Sequence, residues 1–327
     1  MKNILVVGGA GYIGSHTCKT LMKNGYRVII FDNLSTGFKE LAKYGEFVFG
    51  DLNDSESIKT VFEAFDIDTV IHFAASAYVG ESVENPKKYY MNNVVNTLNL
   101  LNAMLQYDVK KIVFSSTCAV FGDPKFLPMD ERHPKSPINP YGRTKLMIEQ
   151  ILEDYDKAYG LKSIVLRYFN AAGSDEDCEL AEMHDPEPHL IPIIFEVIEG
   201  KREFLEVYGD DYSTKDGTCI RDYIHVEDLA DAHLKALEYL NRDLVSDDFN
   251  LGTGTGVSIL ELIEAVESLS KKRVPYRFED PRKGDPSVLI ADSKKAKAVL
   301  KWEAKKSDII EILKSVIEYK KRRWSAE

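Results

Sequence analysis

The sequence has little cysteine: four in 327 residues, Cys18, Cys118, Cys178 and Cys219. No two stand as C-x-x-C, so neither a zinc motif nor a dithiol redox centre is expected. Scattered free thiols suit a reducing compartment, and we expect no metal. Basic charge is also short, with 42 Lys and Arg against 53 Asp and Glu and a net charge of -11. Without a basic surplus to displace counterions from phosphates, nonspecific nucleic-acid binding is not expected. The basic run Lys320 to Arg323 reads as a solvated helix end. No apolar run is long enough to span a bilayer, so no membrane partner is expected. A first strand almost at Met1 leaves no room for a secretory leader, and the expected location is cytoplasmic. Internal repeats and low-complexity tracts are lacking too.

What is present begins with glycine. An apolar strand, Ile4 to Val7, runs into Gly8-Gly9-Ala10-Gly11-Tyr12-Ile13-Gly14, and Ile13, Cys18, Leu21 and Met22 then repeat at helical spacing. Gly8 serves the tight turn, Gly11 the approach of backbone N–H groups to a pyrophosphate, and Gly14 the close helix contact. Such a pattern gains weight from its strand–turn–helix context. The second strand, Arg27 to Phe31, ends in Asp32-Asn33, with Ser35, Thr36 and Gly37 in the loop. An acid there accepts from ribose hydroxyls and repels a 2′-phosphate, favouring NAD over NADP; the alternative is a turn or helix cap. After a third strand, Glu46 to Phe49, Asp51-Leu52 either meets adenine or lets Asp51 cap the helix Ser55 to Phe65.

The fourth strand, Thr69 to Phe73, is almost wholly apolar, as a strand buried on two faces should be. Ala74 and Ala75 then leave room for a cofactor against the backbone. From Asn85-Pro86 a long helical stretch runs to Leu105, with Asn92 in reach of a cofactor. A fifth strand, Lys111 to Phe114, leads into Ser115-Ser116-Thr117. Asn139 and Pro140 start a helix that Gly160 stops, and a sixth strand, Ser163 to Tyr168, leads into Phe169-Asn170. The expected fold is α/β: a doubly wound, Rossmann-type parallel sheet over residues 1–170, with a smaller α/β substrate domain over 171–327. Some segments of the latter can return to the first domain.

The chemistry lies in Tyr141 and Lys145, four apart and so on one helix face. A free phenol ionises near roughly pH 10, too high for a base at neutral pH, and an adjacent ammonium favours the phenolate. Thr117 is placed to orient the same substrate oxygen, so that proton removal coincides with hydride departure to a nicotinamide.

These motifs, with His72-Phe73-Ala74-Ala75, Val79-Gly80-Glu81-Ser82, Arg167-Tyr168-Phe169-Asn170 and Arg221-Asp222-Tyr223-Ile224-His225, resemble the extended short-chain dehydrogenase/reductase family. Within it the likeness is to the nucleotide-sugar 4-epimerases, over nearly the whole chain. The resemblance implies a tightly held NAD, a UDP-hexose substrate, interconversion of UDP-glucose and UDP-galactose through a 4-keto sugar, and a homodimer. It implies catalytic roles for Tyr141, Lys145 and Thr117. Cofactor contacts are implied at Gly8, Gly11, Tyr12, Ile13, Gly14, Asp32, Asn33, Ser35, Thr36, Gly37, Asp51, Leu52, Phe73, Ala74, Ala75, Asn92, Ser115 and Phe169. Substrate contacts are implied at Asn170, His189, Leu190, Tyr208, Arg221, Arg282, Asp285 and Leu289. The two arginines suit a diphosphate, or else make surface ion pairs. Asp285 suits a uridine ribose, or a turn.

Two departures matter. Ala77 stands where many members carry a lysine, removing any cofactor contact made there. Leu289 stands where some carry a tyrosine, leaving room for an N-acetyl group or simply packing. The rival activities are a 4,6-dehydratase, a decarboxylase or a non-catalytic NAD-binding regulator. Cys118 and Ala119 after Thr117 supply no carboxylate for the first two, and a regulator has no need of Tyr141 and Lys145.

Overall fold

The computed structural model describes residues 2–282 and 286–324. Seven strands form its main sheet: β1 (Asn3–Val7), β2 (Arg27–Asp32), β3 (Glu46–Phe49), β4 (Ile67–His72), β5 (Lys111–Thr117), β6 (Lys162–Tyr168) and β7 (Asp247–Leu251). All pair in parallel in the order β7-β6-β5-β4-β1-β2-β3. The order reverses beside β1, with β2 on one side and β4 on the other. The loops after β1 and β4 therefore diverge and open a crevice at the carboxyl edge of the sheet.

Alternation along β1 shows why the sheet must be covered twice. Ile4 and Val6 join Cys18, Leu21, Leu229 and Leu237 from helices Tyr12–Lys23 and Val226–Asp243 on one face. Leu5 and Val7 join Ile58, Leu100, Leu101, Ile148 and Leu152 on the other, from helices Ser55–Ala64, Asn96–Gln106 and Pro140–Tyr159. After β6 the chain leaves the sheet. Helices Leu190–Ile198, Ile259–Ser270 and Ile309–Trp324 gather a separate apolar core with the strand Leu205–Tyr208. Between them, helix Val226–Asp243 and β7 return to the sheet, so its edge strand comes from the C-terminal half of the sequence.

Local differences have plain causes. The helix Ser55–Ala64 is capped by Asp54, which accepts from Glu56 N at 3.1 Å, and not by Asp51. Met22 lies on the solvent side of its helix, 46% exposed. The stretch from Pro86 is not one regular helix: Tyr90–Val95 widens into π geometry before α-helix resumes at Asn96. Such widening frequently marks functional positions. The fourth strand ends at His72, one residue earlier than expected, and the fifth continues through Thr117. No helix among the described residues is long and apolar enough to cross a membrane.

Candidate active site

Asn139 holds the start of helix Pro140–Tyr159 by accepting from Gly142 N at 2.8 Å, and Pro140 fills the first turn. Gly142 sits so close to β5's exit that a Cβ there would lie 2.4 Å from the Ala119 carbonyl oxygen. This contact sets the helix against the end of β5 and brings Tyr141, Lys145 and Thr117 together. The Thr117 hydroxyl stands near enough to the Tyr141 phenol to favour its ionised form. Lys145 Nζ donates to the Ser115 carbonyl at 2.8 Å and lies over the Phe114 ring.

The electrostatics differ from the sequence expectation. Burial, then Tyr168 nearby, pushes the Tyr141 phenol well above its ordinary value, and the Thr117 hydroxyl only opposes this. Burial pushes Lys145 down to about 7, against the charge of Glu149. A buried amine does not by itself make its neighbour a phenolate, because desolvation penalises both ions.

The glycine turn forms a cradle. Gly8 has φ +83°, and a Cβ there would lie 2.6 Å from Ala74 N; at Gly14 it would lie 2.3 Å from the Gly8 carbonyl oxygen. Gly11 is less constrained and caps the helix without a side-chain hydrogen bond; no acid lies in the first turn, which includes Tyr12 and Ile13. The N-terminus is thus suited to an anion. Phe73 N and Ala74 N donate to Val7 O at 2.8 and 3.1 Å, fixing the crevice's far wall, with Ala75 half-buried beyond.

Asp32 accepts from Ala10 N at 3.0 Å and Leu34 N at 2.8 Å, one on each oxygen. Burial raises its pKa, and these hydrogen bonds oppose the rise. Gly37 closes over it, with exposed Ser35 and Thr36 leading in. Asn33 donates to Asp51 at 2.8 Å, and Leu52, buried, accepts from Asn99 at 3.0 Å. Asn92, half-buried in the π segment, bonds Ser76 Oγ at 3.2 Å. Ser115 is buried near the end of β5.

The substrate candidates are more dispersed. Asn170 begins a short strand paired with Tyr223–His225, and Phe169 packs with Val120, Phe121, Met129 and Ala291. Leu289 touches that cluster and pairs in register with Arg221. Arg221, half-buried, donates to the Ile220 carbonyl at 2.9 Å. Arg282 stacks 3.9 Å over the Tyr208 ring. Leu190 opens its helix after His189, whose Nδ1 lies 2.8 Å from Glu182. Asp285 lies outside the described residues.

Several positioning residues escaped the sequence reading. Asn93, fully buried, takes a 2.8 Å hydrogen bond from Ser76 N and donates to Thr144 at 3.1 Å, joining the loop after β4 to the Tyr141 helix. Glu149 accepts from Arg167 twice, at 2.8 Å each, and from Ser116 at 2.6 Å. Asp222 receives backbone N–H groups from Thr253, Gly254 and Ala291 and fixes the strand carrying Leu289. A charged residue within an apolar strand, as Arg167 is, was the available signal for the Glu149 pair.

The model of the NAD dependent epimerase/dehydratase family matches residues 4–252. A UDP-glucose 4-epimerase of Rhizobium meliloti is 48% identical over 98% of each chain. The crystal structure of a Brucella ovis UDP-glucose 4-epimerase in complex with NAD is 50% identical, with TM-score 0.94 over 96% of this chain and 97% of that one. A UDP-Glc/GlcNAc 4-epimerase of Campylobacter jejuni is 44% identical, with TM-score 0.85 over 98% and 100%. The chain belongs to the NAD dependent epimerase/dehydratase family.

Proposed function

We propose that this chain is a UDP-glucose 4-epimerase, interconverting UDP-glucose and UDP-galactose with NAD as resident cofactor. The observation that carries the reading is the meeting of Tyr141 and Thr117 at the end of β5, beside the crevice, in a chain whose full-length relatives carry that name. The residues present fit NAD. Gly8 and Gly14 leave backbone where a side chain would intrude, the helix end without a side-chain cap or first-turn acid suits an anion, and Asp32 stands at the end of β2 for a ribose.

NAD, when bound, would supply reversible hydride transfer at C4 of the sugar. Tyr141 acts as the phenolate, which the positive charge of an oxidised nicotinamide and of protonated Lys145 would favour against burial; its Oη takes the proton of the sugar's 4-hydroxyl and gives it back after the ring has turned. Thr117 orients that hydroxyl. Lys145, anchored on the Ser115 carbonyl, keeps a positive charge within reach of the phenol as its proton leaves. Arg221 and Arg282 hold the diphosphate, with Asn170 and Leu190 as further UDP contacts. Firm contacts on UDP and few on the hexose allow the ring to present either face. NMR of the purified chain with UDP-galactose and no added NAD tests the reading. Conversion towards a fixed UDP-glucose ratio is expected, and an unchanged spectrum would overturn it.

Leu289 in place of a larger ring also leaves space beside the sugar, which favours turnover of UDP-GlcNAc and UDP-GalNAc. The likeness to a UDP-Glc/GlcNAc 4-epimerase supports this. A homodimer is part of the proposal. Val83, Met91 and Met147 are 63%, 48% and 39% exposed on the segments around helix Pro140–Tyr159, an apolar face that a second copy would cover. Sedimentation at a dimer mass is the expected result. Free thiols suit a cytoplasmic enzyme.

A further inference from the structure

Four side chains outside the catalytic group converge in the loop before helix Leu190–Ile198: Glu182, His184, Glu187 and His189. One ligand atom from each lies within 4.8 Å of every other. His189 Nδ1 is 2.8 Å from Glu182 and 3.0 Å from Glu187. His184 Nδ1 is 3.6 Å from Glu182 and 3.6 Å from Glu187. In a tetrahedral zinc site with ordinary nitrogen and oxygen ligand lengths, neighbouring ligand atoms stand roughly 3.3 Å apart. The four distances straddle that value.

A second observation points the same way. His184 Nδ1 is buried and has no hydrogen-bond partner. It faces the two carboxylates at a spacing too long for a hydrogen bond and suited to a shared cation. An ion pair of His189 with the two glutamates satisfies His189 but leaves the His184 nitrogen at 3.6 Å from each carboxylate without a hydrogen bond. We infer that Glu182, His184, Glu187 and His189 form a structural zinc site. Two imidazoles exclude the all-oxygen preference of calcium or magnesium, and four protein ligands leave no open position for catalysis. His189 is exposed, which gives the ion a way in.

The site would hold the irregular stretch 182–189 in one shape and fix where helix Leu190–Ile198 begins. The Tyr78 ring, 6.3 and 6.4 Å from the two imidazoles, places it against the loop after β4. Zinc there acts on the position of Leu190, not on the reacting carbon.

The test uses the full chain without an affinity tag. Protein stripped by chelator is equilibrated with Zn2+, washed and analysed by elemental mass spectrometry. One zinc per chain is expected, and Co2+ in its place should give the strong visible bands of tetrahedral nitrogen–oxygen coordination. A His184→Asn/Glu187→Gln double variant should lose the stoichiometric metal while its far-UV circular dichroism is unchanged. Wild-type protein with no stoichiometric zinc, or a double variant that retains it, overturns the site. If the double variant does not fold, the cobalt spectrum of the wild type decides, and octahedral or absent bands overturn the proposal.

Discussion

Lys145 spends its hydrogen bond on the Ser115 carbonyl, 2.8 Å away, and not on Tyr141. The lysine is thereby locked to β5, on the same helix face as the phenol, while burial brings its own pKa down to about 7. Because burial holds the Tyr141 phenol neutral at physiological pH, its basicity depends on how much positive charge stands near it. Tyr141→Phe removes the proton acceptor and keeps the ring. Turnover of UDP-galactose should fall by about 10²–10⁴-fold with NAD content unchanged, measured by coupled assay and by cofactor absorbance.

Lys145→Met separates catalysis from stability. Burial pushes the amine down to about 7, below its unfolded value, so the unfolded chain binds more protons between about 7 and roughly 10. Wild-type stability should therefore rise with pH across that window, while the burial penalty is fully present below it. The variant escapes the penalty but leaves the Ser115 carbonyl without its donor, for a net gain of about 1–3 kcal/mol near pH 7. Denaturant unfolding at matched cofactor content should show the gain shrinking towards pH 10, while turnover drops at least about 10²-fold.

Glu149→Gln tests the support behind Lys145. Burial alone would raise the Glu149 pKa, but Arg167, followed by Lys135 and Ser116, holds it below the ordinary range. The carboxylate's stabilisation is present above the ordinary glutamate pKa and is lost as pH falls through the lowered value. Neutralising it leaves Arg167, 1% exposed, with only Asp248 as a charged partner. Stability should fall by about 3 kcal/mol at pH 7, with an unchanged urea m-value, and the gap from wild type should close on acidification.

The parts of the molecule legible in the sequence are those governed by neighbours in the chain. Gly8 and Gly14, the cap at Asn139 and the stop at Gly160 follow from local backbone needs, and the structure places them as expected. β7 was less legible because Asp247-Asp248-Phe249-Asn250-Leu251 is half polar and becomes a sheet strand only by pairing with β6. Asp51 and Asp54 are both plausible caps, and only the actual start of the helix chooses Asp54. The burial that raises the Tyr141 pKa was not legible, because spacing reveals a nearby amine but not the depth at which both groups are buried.

Leu289 turns a packing detail into a specificity test. Its side chain joins Val120, Phe121, Met129 and Phe169, while its backbone is held by Asp222 N donating to its carbonyl at 3.1 Å. Asp222 also takes the Ala291 N–H at 3.1 Å, so the strand's position is set independently of the residue 289 side chain. Leu289→Tyr should then keep the backbone and fill the space beside the sugar. One bulky group against an N-acetyl substituent discriminates by about 10–200-fold, the range for steric differences in an apolar pocket. kcat/KM for UDP-GlcNAc should fall by that factor while UDP-glucose turnover stays within about threefold. Equal losses for both sugars would mean that the tyrosine displaces the strand itself, and an unchanged ratio would place the N-acetyl group elsewhere.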